Sequence, residues 1–268
     1  MWFQVLGPLQ IRDGERPVRL GGVRQSATLG FLLLHSNEMV PVSRLMDAVW
    51  PSTVPATGRQ ILHNAIFRLR NVLSELQAGG AQPVELLRHG PGYLLRVGED
   101  RLDLAVFRTL AARGRAELSA GLWEQASSTL RGALAAWRGP ALADLVEHGY
   151  VWSELKELHK ARMAALEDRI DADFALQRYW DVIGDLEFLV EAEPLREQAC
   201  GQLMRALYQC GRQAEALSLY RRTRSALIDQ LGLEPSPQLR ELERAILNHD
   251  LEPPKAARLL HGGTCGRR

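Results

Sequence analysis

The feature that most constrains the fold is a change of hydrophobic period near residues 100–104. Before it, short apolar runs alternate with turns, as in half-buried strands, around a few helical stretches. After it, apolar residues recur at helical spacing and strand-type alternation disappears. Such a chain is mainly α, with an N-terminal α+β segment followed by an all-α one. Its 268 residues suffice for two domains with separate cores. We assign residues 1–98 and 103–250 to them, with a disordered tail over 251–268 after Pro253-Pro254.

In the first segment, Phe3-Gln4-Val5-Leu6, Leu9-Gln10-Ile11 and Val18-Arg19-Leu20 read as small antiparallel strands separated by Gly7-Pro8 and Asp13-Gly14. Residues 23–34 read as a largely buried helix. Ser43 is the expected N-cap of a second helix that runs to Val49 and is ended by Trp50-Pro51. A loop follows, Pro51-Ser52-Thr53-Val54-Pro55, and then a long helix over 56–76. Leu62, Ile66, Leu69, Leu73 and Leu76 give that helix one apolar face, and Gly79-Gly80 stops it. Two apolar runs, Val84-Glu85-Leu86-Leu87 and Tyr93-Leu94-Leu95-Arg96-Val97, then flank Gly90-Pro91-Gly92. A helix followed by a tight hairpin is how a winged helix-turn-helix is built.

With the leucines turned inward, Gln60, Asn64, Phe67 and Asn71 point outward, and His63 and Arg68 lie beside them. Arg59 and Arg70 sit nearer the core boundary, where an arginine lays its stem on apolar surface and sends its guanidinium to phosphate. Asn and Gln suit adenine, and Arg suits guanine or phosphate. The four turns carrying these residues hold no acid, which is unusual for a face that serves solubility alone. At the hairpin tip, Arg88 and His89 are placed to meet the minor groove or flanking phosphates, while Tyr93 packs inward. This reading is duplex DNA binding. A winged helix that binds protein, on a helical-repeat scaffold, is the alternative.

The net charge of +1 lacks the excess that marks many nucleic-acid binders. Its distribution is uneven: from Arg59 to Arg96 there are five arginines against Glu75 and Glu85. No apolar run approaches the roughly 20 residues of a membrane span. The start, Met1-Trp2-Phe3-Gln4-Val5, lacks a basic n-region and a cleavage site, so the expected location is the cytoplasm, on the nucleoid. Cys200, Cys210 and Cys265 fit no metal spacing, and Cys200 and Cys210 belong to a helical core. No phosphate-binding loop, zinc helix, nucleophile elbow or Cys-x-x-Cys occurs. Neither enzyme activity, metal nor cofactor is expected.

Beyond residue 104 helices are expected over 105–119, 123–137, 152–175, 179–191, 195–210, 213–231 and 238–247. Gly121-Leu122-Trp123-Glu124-Gln125-Ala126 resembles Arg178-Tyr179-Trp180-Asp181-Val182-Ile183 and Gly211-Arg212-Gln213-Ala214-Glu215-Ala216. The latter two are offset by close to the roughly 34-residue period of tetratricopeptide-type helix pairs. Stacked pairs of that kind, or a plain α-bundle, satisfy the pattern.

Several motifs together resemble the Streptomyces antibiotic regulatory protein family. They are Leu6-Gly7-Pro8-Leu9, Gly21-Gly22-Val23-Arg24-Gln25, Leu32-Leu33-Leu34-His35, Arg44-Leu45-Met46-Asp47-Ala48-Val49-Trp50, Arg68-Leu69-Arg70 and Gly90-Pro91-Gly92-Tyr93-Leu94-Leu95. Further on come Trp137-Arg138-Gly139-Pro140-Ala141-Leu142, Ala165-Leu166-Glu167-Asp168-Arg169-Ile170-Asp171-Ala172-Asp173, Pro194-Leu195-Arg196-Glu197 and Ala206-Leu207-Tyr208-Gln209-Cys210-Gly211-Arg212-Gln213-Ala214-Glu215-Ala216-Leu217.

The resemblance implies a response-regulator-type winged helix joined to a bacterial transcriptional activation domain of tetratricopeptide-like helices, in the small stand-alone form. It implies a pathway-specific activator of antibiotic or other secondary-metabolite genes, binding direct repeats near promoter −35 elements as a homodimer on DNA. The implied partners are double-stranded promoter DNA and RNA polymerase holoenzyme, its sigma factor and other subunits, with Pro51, Ser52, Thr53, Val54 and Pro55 facing polymerase. One departure stands out. Where the family's recognition helix commonly reads Ser-Arg-Leu-Arg-Arg, this chain reads Phe67-Arg68-Leu69-Arg70-Asn71, so relatives' operators do not transfer.

Overall fold

A computed structural model describes residues 1–75 and 84–251. The expected end of the long helix at Leu76, its Gly79-Gly80 stop, the tail and Cys265 lie outside the described residues. The described chain is mainly helical, with two small antiparallel sheets. None of its helices is long and apolar enough to cross a membrane. Two compact units divide within one long helix, Met1–Arg169 and Ile170–Arg268.

In the first unit, β1 (Trp2–Gln4), β2 (Gln10–Asp13) and β3 (Arg16–Val18) form an antiparallel meander. The strand expected to reach Leu6 stops at Gln4. The backbone N–H groups of Val5 and Leu6 turn instead to the buried Asp103 carboxylate, at 2.9–3.0 Å. Helix α1 (Val23–Leu34) is buried on nearly every side from Ala27 onward, because it packs on α2 (Val42–Val49), α3 (Gly58–Glu75) and α6 (Ala143–Glu147).

The second sheet has the order β4-β6-β5, from β4 (Met39–Pro41), β5 (Glu85–His89) and β6 (Gly92–Arg96). β4 was not expected: three residues are too few to show alternation, and it pairs only with β6, which lies some fifty residues on in the chain. Its presence corrects the reading of Ser43 as an N-cap. The helix starts two residues earlier than that cap implies, directly from the strand, with Pro41 at the cap position and no side-chain cap. At the other end, Trp50 is extended (φ −122°, ψ 91°), as the residue before a proline is driven to be.

A 3-10 turn (Glu99–Arg101) leads to α4 (Asp103–Ser119), α5 (Trp123–Ala135), α6 and α7 (Ser153–Ala175). The segment between α5 and α6 is tied to the chain just after β1. Arg138 N–H donates to Leu6 O at 2.7 Å, and Leu142 N–H reaches Val5 O and Gly7 O at 3.0 and 2.7 Å. Five-residue α6 was too short to register as a period.

The second unit holds the end of α7, then α8 (Tyr179–Ala192), α9 (Glu197–Gln209), α10 (Gln213–Leu231) and α11 (Pro237–Asn248). α9 packs on α8, α10 and α11 around Leu186, Cys200, Leu203, Met204, Leu207 and Leu219. Cys200 is buried and Cys210 half-buried, and burial pushes both thiols up from their ordinary value.

The three related sequence segments share one turn geometry. Gly121 and Gly211 adopt a left-handed conformation (φ 73° and 76°), and so does Gln177 (φ 59°), one residue before the Arg178 that the sequence sets opposite them. The next N–H then closes back on a carbonyl five residues earlier: Leu122 to Glu117 at 2.9 Å, Arg178 to Asp173 at 2.9 Å, Arg212 to Leu207 at 2.8 Å. This is the Schellman closure, which satisfies carbonyls that a helix end leaves unpaired.

Candidate nucleic-acid interface

Helix α3 is held by its apolar stripe: Leu62, Ile66, Leu69 and Leu73 are at most 2% exposed. Burying each such side chain contributes about 1.5–3 kcal/mol, so rotating the helix would expose the stripe at prohibitive cost. That fixes which residues face out. Arg59, Gln60, Asn64, Phe67, Arg68, Arg70 and Asn71 are exposed, and His63 is half-buried. Gln60 Nε2 donates to Asn64 Oδ1 at 3.4 Å, aligning two amides one turn apart. No acid precedes Glu75 on this helix.

The N-terminus of α3 is set by a close approach. A Cβ on Gly58 would lie 2.6 Å from Val54 Cγ1, so only glycine lets the loop fold down there. Val54 is therefore half-buried, while Pro51, Ser52, Thr53 and Pro55 are exposed.

The hairpin β5–β6 pairs His89 with Gly92 across a two-residue loop, Gly90-Pro91, with Gly90 at φ 53°. A first loop position with positive φ suits the tight turns that match strand twist. Arg88 and His89 are exposed at the tip, and Tyr93 is buried. Gly92 admits no side chain, because a Cβ there would lie 2.1 Å from Val40 O. Behind the tip, Asn37 (φ 67°) stitches the sheet: its side chain donates to Val97 O at 3.0 Å and accepts from Val97 N–H at 3.1 Å.

Arg70 joins the two pieces. Its Nε donates to Leu86 O on β5 at 2.9 Å, and its guanidinium lies 6.0 Å from the Tyr93 ring centroid. One of its five N–H donors is thus committed to bracing the hairpin against α3. The sequence marked Arg70 as a boundary arginine but held no sign of that carbonyl partner. Among the described residues, Arg59, Arg68 and Arg88 take part in no ion pair, while Glu85 is neutralised by Arg96 at 3.3 Å.

Two supports came from distant residues. Trp152 Nε1 donates to Ala48 O at the end of α2 at 3.0 Å, and its ring meets Phe31 edge-on at 5.2 Å. Glu154 accepts from Arg44 at 2.7 Å and contacts His35 at 3.0 Å. Both lie at the start of α7, so α1 and α2 are clamped by a helix more than a hundred residues downstream. Among the described residues no group of three His, Cys, Asp or Glu side chains is placed to hold a metal ion.

Residues 102–247 match the bacterial transcriptional activator domain. The chain is 36% identical to the transcriptional regulatory protein EmbR of Mycobacterium tuberculosis, over 98% of its own length and 67% of that protein. It is 32% identical to the regulatory protein DnrI of Streptomyces peucetius, over 93% of each chain. It belongs to the Streptomyces antibiotic regulatory protein family. Members of that family are transcriptional regulators. A solved structure of EmbR in complex with a low affinity phosphopeptide superposes with a TM-score of 0.80 at 35% identity, covering 92% of this chain and 65% of that one.

Proposed function

We propose that this regulator binds promoter DNA through its N-terminal segment as a winged helix-turn-helix. α3 enters the major groove and the β5–β6 tip follows the adjacent backbone. The observation that carries this reading is the fixed, acid-free outer face of α3, braced by Arg70 to a hairpin whose tip is cationic. Gln60, His63, Asn64 and Asn71 supply the donors and acceptors that read base edges; Arg59, Arg68, Arg70 and Arg88, with His89, anchor phosphates.

In this account residues 103–250 form a tetratricopeptide-like activation domain, a reading supported by the repeated Schellman turns. Two protomers bind tandem direct repeats near a −35 element, and the 51–55 loop faces RNA polymerase, whose recruitment activates secondary-metabolite genes. Site of action is the nucleoid, in the cytoplasm.

The test uses the whole chain, because residues 1–97 alone lack Asp103, Trp152 and Glu154. Full-length protein should shift a duplex from the promoter beside its own gene, and Arg68→Ala with Arg88→Ala should weaken that complex on every sequence about equally. Asn64→Ala should instead relax discrimination at one base pair, by about 1–3 kcal/mol. Unchanged binding by the double variant at moderate salt would overturn the proposal.

A further inference from the structure

Phe67 is 63% exposed at the middle of α3, on a helix whose inward stripe is already complete without it. Its neighbours along the outward line are Gln60 and Asn64 on one side and Asn71 on the other, with Arg68 beside it. Each of those can form hydrogen bonds, and the phenyl ring cannot. A fixed aromatic ring exposed to water releases free energy when an apolar surface covers it, so it is available to favour a complex that offers one. On a helix lying in the major groove, the apolar group at base level is the C5-methyl of thymine; every other groove-exposed feature of the four base pairs is a polar donor or acceptor, or the small C5–H edge of cytosine.

We infer that Phe67 is a specificity-determining residue that packs on a thymine methyl, selecting thymine at one position in each repeat. The inference rests on the DNA-binding proposal and names one base contact within it. Asn64 and Gln60, whose amides are aligned one turn away, read the neighbouring step by hydrogen bonds. Discrimination by Phe67 is against the missing methyl of cytosine, so it is a contact of modest size and high chemical selectivity.

Replacing thymine by uracil removes that methyl and nothing else from the groove edge. The full-length protein is titrated against a duplex carrying its footprinted site, with each thymine of a repeat changed to uracil in turn. Wild type should lose about 3- to 5-fold in affinity at one thymine per repeat, the value of burying a single methyl. Phe67→Ala should bind the thymine duplex more weakly by a similar factor and be indifferent to the change, whereas Phe67→Leu should keep part of the preference.

Equal binding of wild type to all uracil duplexes would overturn the inference while leaving DNA binding intact. So would a Phe67→Ala protein that retains the full methyl dependence. Loss of cooperativity between two protomers in Phe67→Ala, with uracil substitutions silent, would assign the ring to a second copy of the chain and overturn it too. Failure of wild type to bind any promoter duplex would remove the DNA-binding proposal itself.

Discussion

Asp103 is 2% exposed, and its carboxylate takes the N–H groups of Val5 and Leu6 just where β1 leaves the sheet. Burial pushes its carboxyl up from the ordinary range, against the pull of those N–H groups and of Arg138 at 4.0 Å. Asp103→Ala leaves two buried donors unpaired, at about 1–3 kcal/mol each, so a combined loss of about 2–6 kcal/mol is expected. Asp103→Asn keeps one acceptor oxygen for the N–H groups but turns an NH2 toward Val5 N–H, and should cost about 1–3 kcal/mol. For a chain of this size, at about 2–4 °C per kcal/mol, the alanine variant should melt on the order of 4–24 °C lower.

Tryptophan fluorescence during urea unfolding is the suitable assay. Trp2, Trp50, Trp123, Trp137 and Trp152 all lie in the first unit and only Trp180 in the second. The first-unit transition should move to lower urea with little change in slope. A loss below about 0.5 kcal/mol, the level of an ordinary surface substitution, would refute the idea that this carboxylate locks the N-terminal strands to α4.

Gly92→Ala must part β4 from β6, because a backbone carbonyl occupies the Cβ position, and should cost about 3 kcal/mol or more in the same assay. Gln177→Gly should stabilise by about 0.5–1 kcal/mol in a urea melt read by far-UV circular dichroism, since it relieves a left-handed conformation that the equivalent Gly121 and Gly211 adopt freely. Burial would raise the Glu154 carboxyl, but its backbone hydrogen bond and its contacts with His35 and Arg44 outweigh that and hold it below the ordinary 4.5. Its contribution is therefore complete above pH 4.5 and lost as pH falls through the folded-state value, so Glu154→Gln should flatten that part of an acid-unfolding curve.

What could be read from sequence was what local periodicity encodes. The α3 stripe of Leu62, Ile66, Leu69 and Leu73 repeats at helical spacing, so its outward residues followed from geometry alone. The hairpin followed from Gly90-Pro91-Gly92 between apolar runs. Features set by distant partners were not legible. β4 exists because β6 supplies its hydrogen bonds, Arg70 turns to a carbonyl sixteen residues on, and Trp152 reaches Ala48 across a hundred residues. Nothing local marks Asp103, and only the fold reveals that it faces the chain just after β1.

The salt dependence of promoter binding reports whether α3 and the hairpin tip dock on phosphates. On a duplex carrying a single repeat, where Arg59, Arg68, Arg70 and Arg88 of one protomer each neutralise a phosphate, log affinity should fall against log salt with a slope of about −3 to −4, and Arg88→Ala should make it shallower by about 0.9. Between 50 and 200 mM salt that single change amounts to about a 3- to 4-fold difference in how much affinity is lost. A slope near zero, or one that Arg68→Ala and Arg88→Ala leave untouched, would contradict an account in which α3 and the hairpin tip dock on DNA.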